Sequence, residues 1–173
     1  MTMRGFKIFV FCLLLNLGPV GVWAQFRQAS IGINGLTCSQ CSRSVEMQLR
    51  KLSFVKDIRM DLEHTEGKIF FKENKPVNIK AIADAVKDAG FSLRYLKADI
   101  SRQEIHISGD GCFKLYGDVY YVSQPAKTDE SPIITLLFLG KDYLAKNELK
   151  QYKLPATVKC KGKTIYYTAL SRY

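Results

Sequence analysis

Between Ala29 and Leu96 the apolar residues alternate between two spacings. A repeat of two buries one face of a strand, and steps of three and four bury one face of a helix. Ile31 and Ile33 alternate with Gly32 and Asn34, which predicts a short first strand ending at Gly35. Val45, Leu49 and Leu52 then extend a helical stripe that begins at Cys41. Ile58, Met60 and Leu62 alternate with Arg59, Asp61 and Glu63, so a second strand has one apolar and one charged face. The run HTEGK supplies a reversal, with Gly67 available for a left-handed turn position, and Ile69 and Phe71 continue as a third strand. Asn78 can cap a second helix that carries Ile79, Ile82, Ala83, Val86 and Ala89, and Gly90 ends it. Phe91, Leu93 and Tyr95 supply a fourth strand.

The order strand, helix, strand, strand, helix, strand defines an α+β chain whose first part is a ferredoxin-like βαββαβ sandwich. Cys38 and Cys41 sit in GLTCSQC, on the loop that enters the first helix. A helix N-terminus offers unpaired N–H groups and a positive dipole end, which lower a thiol pKa and favour the thiolate. Three uses of such a pair compete: binding a soft metal, forming a redox disulfide, or serving as a structural bridge. Two thiolates with no histidine or carboxylate beside them suit Cu(I) better than Zn(II), which normally takes four ligands. Hg(II), which accepts linear dithiolate ligation, stays in contention. Thr37 stands where an acidic residue could have supplied an oxygen donor, so Zn(II) and Cd(II) rank lower. A dithiol oxidoreductase is expected to carry Trp or Pro beside its cysteines, but the chain's single Trp is far from them at Trp23.

Residues 29–96 resemble the heavy-metal-associated domain of copper chaperones, metal-pumping ATPase tails and periplasmic mercury-binding proteins. GLTCSQC, SVEMQLRKL, IRMDLE and IADAVKDAGFSL carry the resemblance. It implies a metal site at Cys38 and Cys41, with a metal-transporting or metal-receiving envelope protein as partner. Leu36 stands where the family usually has a Met that packs under the loop, and Phe54 where a glycine is common after the first helix. Phe91 fills the family's bulky position near the metal loop.

From Asp99 to Tyr173 the pattern is β-rich and suggests no family. Ile105 with Ile107, CFKLYGDVYYV, IITLLFLG, TVKC and TIYYTAL read as strands, KDYLAKNELKQY as a short helix, and VKCKGKTIYY as a hairpin around Gly162. That order is compatible with a small OB-like barrel, in which the first strand lies beside the fourth and could bring Cys112 to Cys160. QPAKTDESP reads as a surface loop.

The first residues read as an export signal. Arg4 and Lys7 form its charged region, Ile8 to Leu17 its apolar stretch, and Val22-Trp23-Ala24 a cleavage site. The apolar run is short of the about 20 residues a bilayer span needs. Cys12 lies too early, behind Val10 and Phe11, to be a lipid anchor. Three parts are therefore expected: a removed signal peptide at 1–24, a heavy-metal-associated domain at 25–98 and a β-rich domain at 99–173. The product would be exported, to a periplasm or the medium, with no membrane span after cleavage. The net charge of +10 is spread over both halves, which argues against a nucleic-acid patch. No catalytic triad, phosphate loop or close carboxylate pair stands out, so no enzyme activity is expected. His64 and His106 read as surface residues, and the tyrosines at 116, 120, 121, 166 and 167 as core of the β-rich half.

Overall fold

The structure, a computed structural model, describes residues 25–123, 131–155 and 157–171. The expected signal segment with Cys12, and residues 124–130 of the expected surface loop, lie outside the described residues. The first part builds β1 (Phe26–Asn34), α1 (Ser39–Arg50), β2 (Val55–Asp61), β3 (Glu66–Phe71), α2 (Ile79–Asp88) and β4 (Ser92–Ser101). These four strands lie side by side in the order β2-β3-β1-β4, and every neighbouring pair is antiparallel. This is the ferredoxin-like arrangement the periodicity predicts. α1 buries Ser42, Val45 and Leu49, with Cys41 and Leu52 packed at the core's edge. α2 buries Ile79, Ile82, Ala83, Ala85 and Val86. Phe54 adds to the same core, meeting Phe71 edge to face with ring centroids 6.0 Å apart.

Asn78 caps α2 by accepting the Ala81 N–H at 3.0 Å. Asn78→Ala removes that acceptor and is expected to lower stability by about 1 kcal/mol. A denaturant midpoint unchanged from the parent would contradict the cap's contribution. Gly90, at φ +89°, ends the helix in a conformation other residues resist.

The C-terminal half corrects the barrel expectation. β5 (Cys112–Leu115), β6 (Asp118–Val122), β7 (Ile133–Leu139) and β8 (Ile165–Leu170) extend the first sheet into one open sheet of eight strands, β2-β3-β1-β4-β7-β8-β6-β5. The join is at β4, which pairs with β7 from Lys97↔Leu137 to Ser101↔Ile133. An edge strand that long would otherwise leave a row of unpaired backbone groups. β8 lies between β7, its antiparallel neighbour, and β6, its parallel one. Both of its sides are filled, so no ladder is left for TVKC, and the expected VKCKGKTIYY hairpin does not form. Ile105 and Ile107 follow a short 3-10 turn, Arg102–Glu104, and are not in a strand. The expected long strand through CFKLYGDVYYV is instead a hairpin that turns at Tyr116 and Gly117, whose φ angles are +51° and +87°.

An aromatic cluster joins the halves. Tyr120 and Phe138 both meet Phe26 of β1 edge to face, at 5.6 and 6.1 Å, and Phe113 and Tyr166 both stack on Tyr120, at 5.0 and 5.2 Å. Burial drives the phenol pKa of Tyr120 well above its ordinary value, so the ring stays neutral. Of KDYLAKNELKQY, only α3 (Lys146–Leu149) is helical. Leu144, Leu149 and Tyr152 around it cover Leu137, Leu139 and Ala169.

Candidate metal centre

β1 delivers the chain to one end of the sheet, where Gly35 at φ +77° turns it out of the strand. Asn34 fixes the base of the loop by donating from Nδ2 to the Ser92 hydroxyl at 3.2 Å. Leu36, 1% exposed, anchors the loop to the core from below, the role the usual Met would play. Thr37 N–H then closes a tight turn on the Gly35 carbonyl at 3.0 Å, and Cys38 enters as the N-cap of α1 in extended conformation. A cap is usually an oxygen; here the Cys38 Sγ accepts the Cys41 N–H at 3.1 Å. The Cys38 carbonyl accepts the Ser42 N–H at 3.0 Å, which starts the helix.

The two cysteines are thus one helical turn apart, with Cα atoms at 5.2 Å, and the structure joins them as a disulfide. Cys38 is exposed and Cys41 half-buried against the core, so one sulfur is reachable and the other is anchored. The first turn of α1 has no acidic residue to cancel the dipole. Once the bond is reduced, the amide at the Cys38 sulfur and the dipole both favour thiolate. Among the described residues no His, Asp, Glu or further Cys joins the pair in a group of three potential ligands. The site is therefore a bare dithiolate, chemically soft and low in coordination number.

The remaining candidates fall outside it. Phe91 packs against the core. His64 is in the β2–β3 turn, its Nδ1 2.9 Å from Asp61, and that hydrogen bond holds the Asp61 carboxyl below the usual range. His106 is exposed. Cys112 and Cys160 are joined by a second disulfide, with Cα atoms 6.3 Å apart. They are not brought together by adjacent strands, since among the described residues β5 pairs only with β6; the run before β8 is held beside the β5–β6 hairpin, where the Lys163 N–H donates to the Gly117 carbonyl and the Val119 N–H to the Thr164 carbonyl. Asp110, beside this second pair, gave no signal in the sequence reading.

The model of the heavy-metal-associated domain matches residues 30–92. Copper chaperone CopZ of Bacillus subtilis (strain 168) is 30% identical over 66 residues, which are 38% of this chain and 94% of that protein. Copper-transporting ATPase 1 of Rhizobium meliloti (strain 1021) is 39% identical over 86 residues, 50% of this chain and 10% of the ATPase. Among solved structures, a copper binding domain from HMA7, a P-type ATPase, is 32% identical, with a TM-score of 0.35 over 38% of this chain and 86% of that one. Through residues 30–92 the chain belongs to the heavy-metal-associated domain family. It spans about a tenth of the length of the copper-transporting ATPases it matches.

Proposed function

We propose that the chain is an exported, non-catalytic binding protein that captures Cu(I) between Cys38 and Cys41 and passes it on by ligand exchange. The observation that carries this reading is the two-sulfur site on a helix N-terminus, with Cys38 exposed and no third donor among the described residues. Two thiolates satisfy Cu(I), and Hg(II) as well by linear ligation, whereas Zn(II) would be left short of ligands. The names of the relatives, a copper chaperone and copper-transporting ATPases, point to the same ion.

Exchange follows from the asymmetry of the pair. A thiolate from a metal-receiving envelope protein approaches at Cys38, the exposed sulfur, and makes a three-sulfur intermediate. The bond to Cys38 then breaks, a second thiolate of the receiving protein takes the vacated position, and only then does the bond to the anchored Cys41 break, so no free ion is released. Among the described residues no helix is long and apolar enough to cross a membrane. The leader-like residues 1–24 support export.

The disulfide at the site makes binding depend on redox state, because the bonded sulfurs cannot act as thiolates. The reduced chain is expected to withdraw Cu(I) from a chromophoric chelator, and the oxidised chain to leave the chelator's colour unchanged. A reduced chain that takes up no Cu(I) but exchanges disulfides through Cys38 and Cys41 would establish the oxidoreductase reading instead.

A further inference from the structure

We propose that Asp110, Cys112 and Cys160 form a second metal centre in the dithiol form of the chain, one that takes a divalent ion of Zn(II) type. Both sulfurs and a carboxylate oxygen of Asp110 already lie within 4.8 Å of one another. They line an open cavity of about 400 Å³ in the C-terminal half. His106 lines the same cavity but stands outside this trio.

The loop that presents Asp110 is tightly built. Ser108 and Cys112 are tied through the Ser108 N–H and the Cys112 carbonyl at 2.8 Å, and Gly111 turns between them at φ +81°. The Ser108 hydroxyl lies within hydrogen-bond reach of both the Asp110 carboxylate and the Cys112 carbonyl, and its one proton serves either acceptor. That turn keeps a carboxylate oxygen of Asp110 within 4.8 Å of both sulfurs, so the trio is gathered by the loop itself.

A disulfide keeps its sulfurs about 2 Å apart, whereas two thiolates on a tetrahedral ion with bonds of about 2.3 Å stand roughly 3.8 Å apart. The geometry has room for that change. Cys112 opens β5, the four-residue strand at the outer edge of the sheet, and Cys160 lies in an irregular run before β8. Neither side chain is fixed between two strands. A dithiol reductant supplies the two electrons and two protons, leaves as its own disulfide, and yields thiols at Cys112 and Cys160. Metal binding then releases those two protons.

The donor set sets the preference. Two sulfurs and one oxygen, with water from the open cavity at the fourth position, suit a borderline divalent ion, unlike the bare sulfur pair at Cys38 and Cys41. Two thiolates and a carboxylate around a divalent ion leave one negative charge, and Lys159 and Lys161 on the cavity wall balance it.

Co(II), a spectroscopic stand-in for Zn(II), tests the centre in a Cys38→Ser/Cys41→Ser chain, where the first site is gone and failure of the Cu(I) reading has no bearing. After anaerobic reduction, with two thiols counted by alkylation and mass, Co(II) is expected to give a near-ultraviolet sulfur-to-metal band and tetrahedral visible bands. They should saturate at one equivalent and vanish on adding Zn(II). Asp110→Asn, which keeps both sulfurs, is expected to weaken binding tenfold or more, and Cys112→Ser to abolish the two-sulfur spectrum. The proposal is overturned if the reduced chain gives no such bands, if Asp110→Asn binds as tightly as its parent, or if the pair cannot be reduced in the folded chain.

Discussion

Replacing either Cys38 or Cys41 by serine in the reduced chain is expected to weaken Cu(I) binding by roughly 100- to 10,000-fold, the range in which linked attachment exceeds single attachment. The reason is geometric. The two sulfurs sit one helical turn apart on a loop fixed by Gly35, the buried Leu36 and the Asn34–Ser92 hydrogen bond. The second bond to the ion therefore forms within the molecule, at an effective concentration far above that of a competing free thiol. A lone sulfur loses this advantage, and the serine hydroxyl is too hard a donor to restore it. The two variants should differ in exchange. Cys41→Ser keeps the reachable sulfur and should still pass Cu(I) quickly to a small dithiol, while Cys38→Ser keeps only the half-buried one and should pass it slowly. Met47→Ala is the control: this thioether, 57% exposed on α1, is a soft donor but lies well beyond the first helical turn. Competition against a chromophoric chelator measures all three. Equal affinity in the Cys38 variant and the parent would remove the site assignment, and a large loss in Met47→Ala would show that the sulfur pair is not sufficient.

The cysteine pair's place at a helix start and the sandwich around it were legible because their information is local. The switch from period two to helical steps around Cys41, Val45 and Leu49 marks α1, and the cysteines stand where that switch occurs. The sequence also carried the Asn78 cap and the Gly90 stop. What could not be read was the path by which the later strands join the sheet. β8 is inserted between β7 and β6 and runs parallel to β6, a pairing that leaves no turn between the partners for the sequence to mark. Val158 and Cys160 alternate with lysines just as strand residues do, yet both sides of the neighbouring strand were already filled. Tyr116-Gly117 did carry a turn signal, but a tyrosine at positive φ is unusual enough that the run around it reads as one strand. Asp110 escaped for a similar reason: it lies two residues from Cys112, but its other neighbour, Cys160, arrives only through the tertiary fold.

Phe138→Ala is expected to destabilise the whole chain by about 3–5 kcal/mol, the usual effect of truncating a buried aromatic residue. Phe138 has no exposed surface, and its ring meets four others edge to face or tilted: Phe26 at 6.1 Å, Tyr120 at 6.2 Å, Tyr166 at 5.9 Å and Tyr143 at 6.0 Å. An alanine leaves a cavity that these rings cannot all close, since Tyr120 is itself stacked on Phe113 and Tyr166. The position of the ring makes the result informative about architecture. Phe26 belongs to β1, the strand that leads to the loop of Cys38 and Cys41, while Phe138 belongs to β7, which pairs with β4 across the boundary between the halves. If the continuous sheet and this cluster make the halves one cooperative unit, denaturation followed at the α-helices and at the tyrosines should shift together, with a midpoint temperature lower by roughly 10 °C. Helix unfolding that stays at the parent's temperature while the tyrosine signal moves down would mean that residues 25–98 melt as a separate unit. The shared sheet would then be a junction between two domains and not a common core.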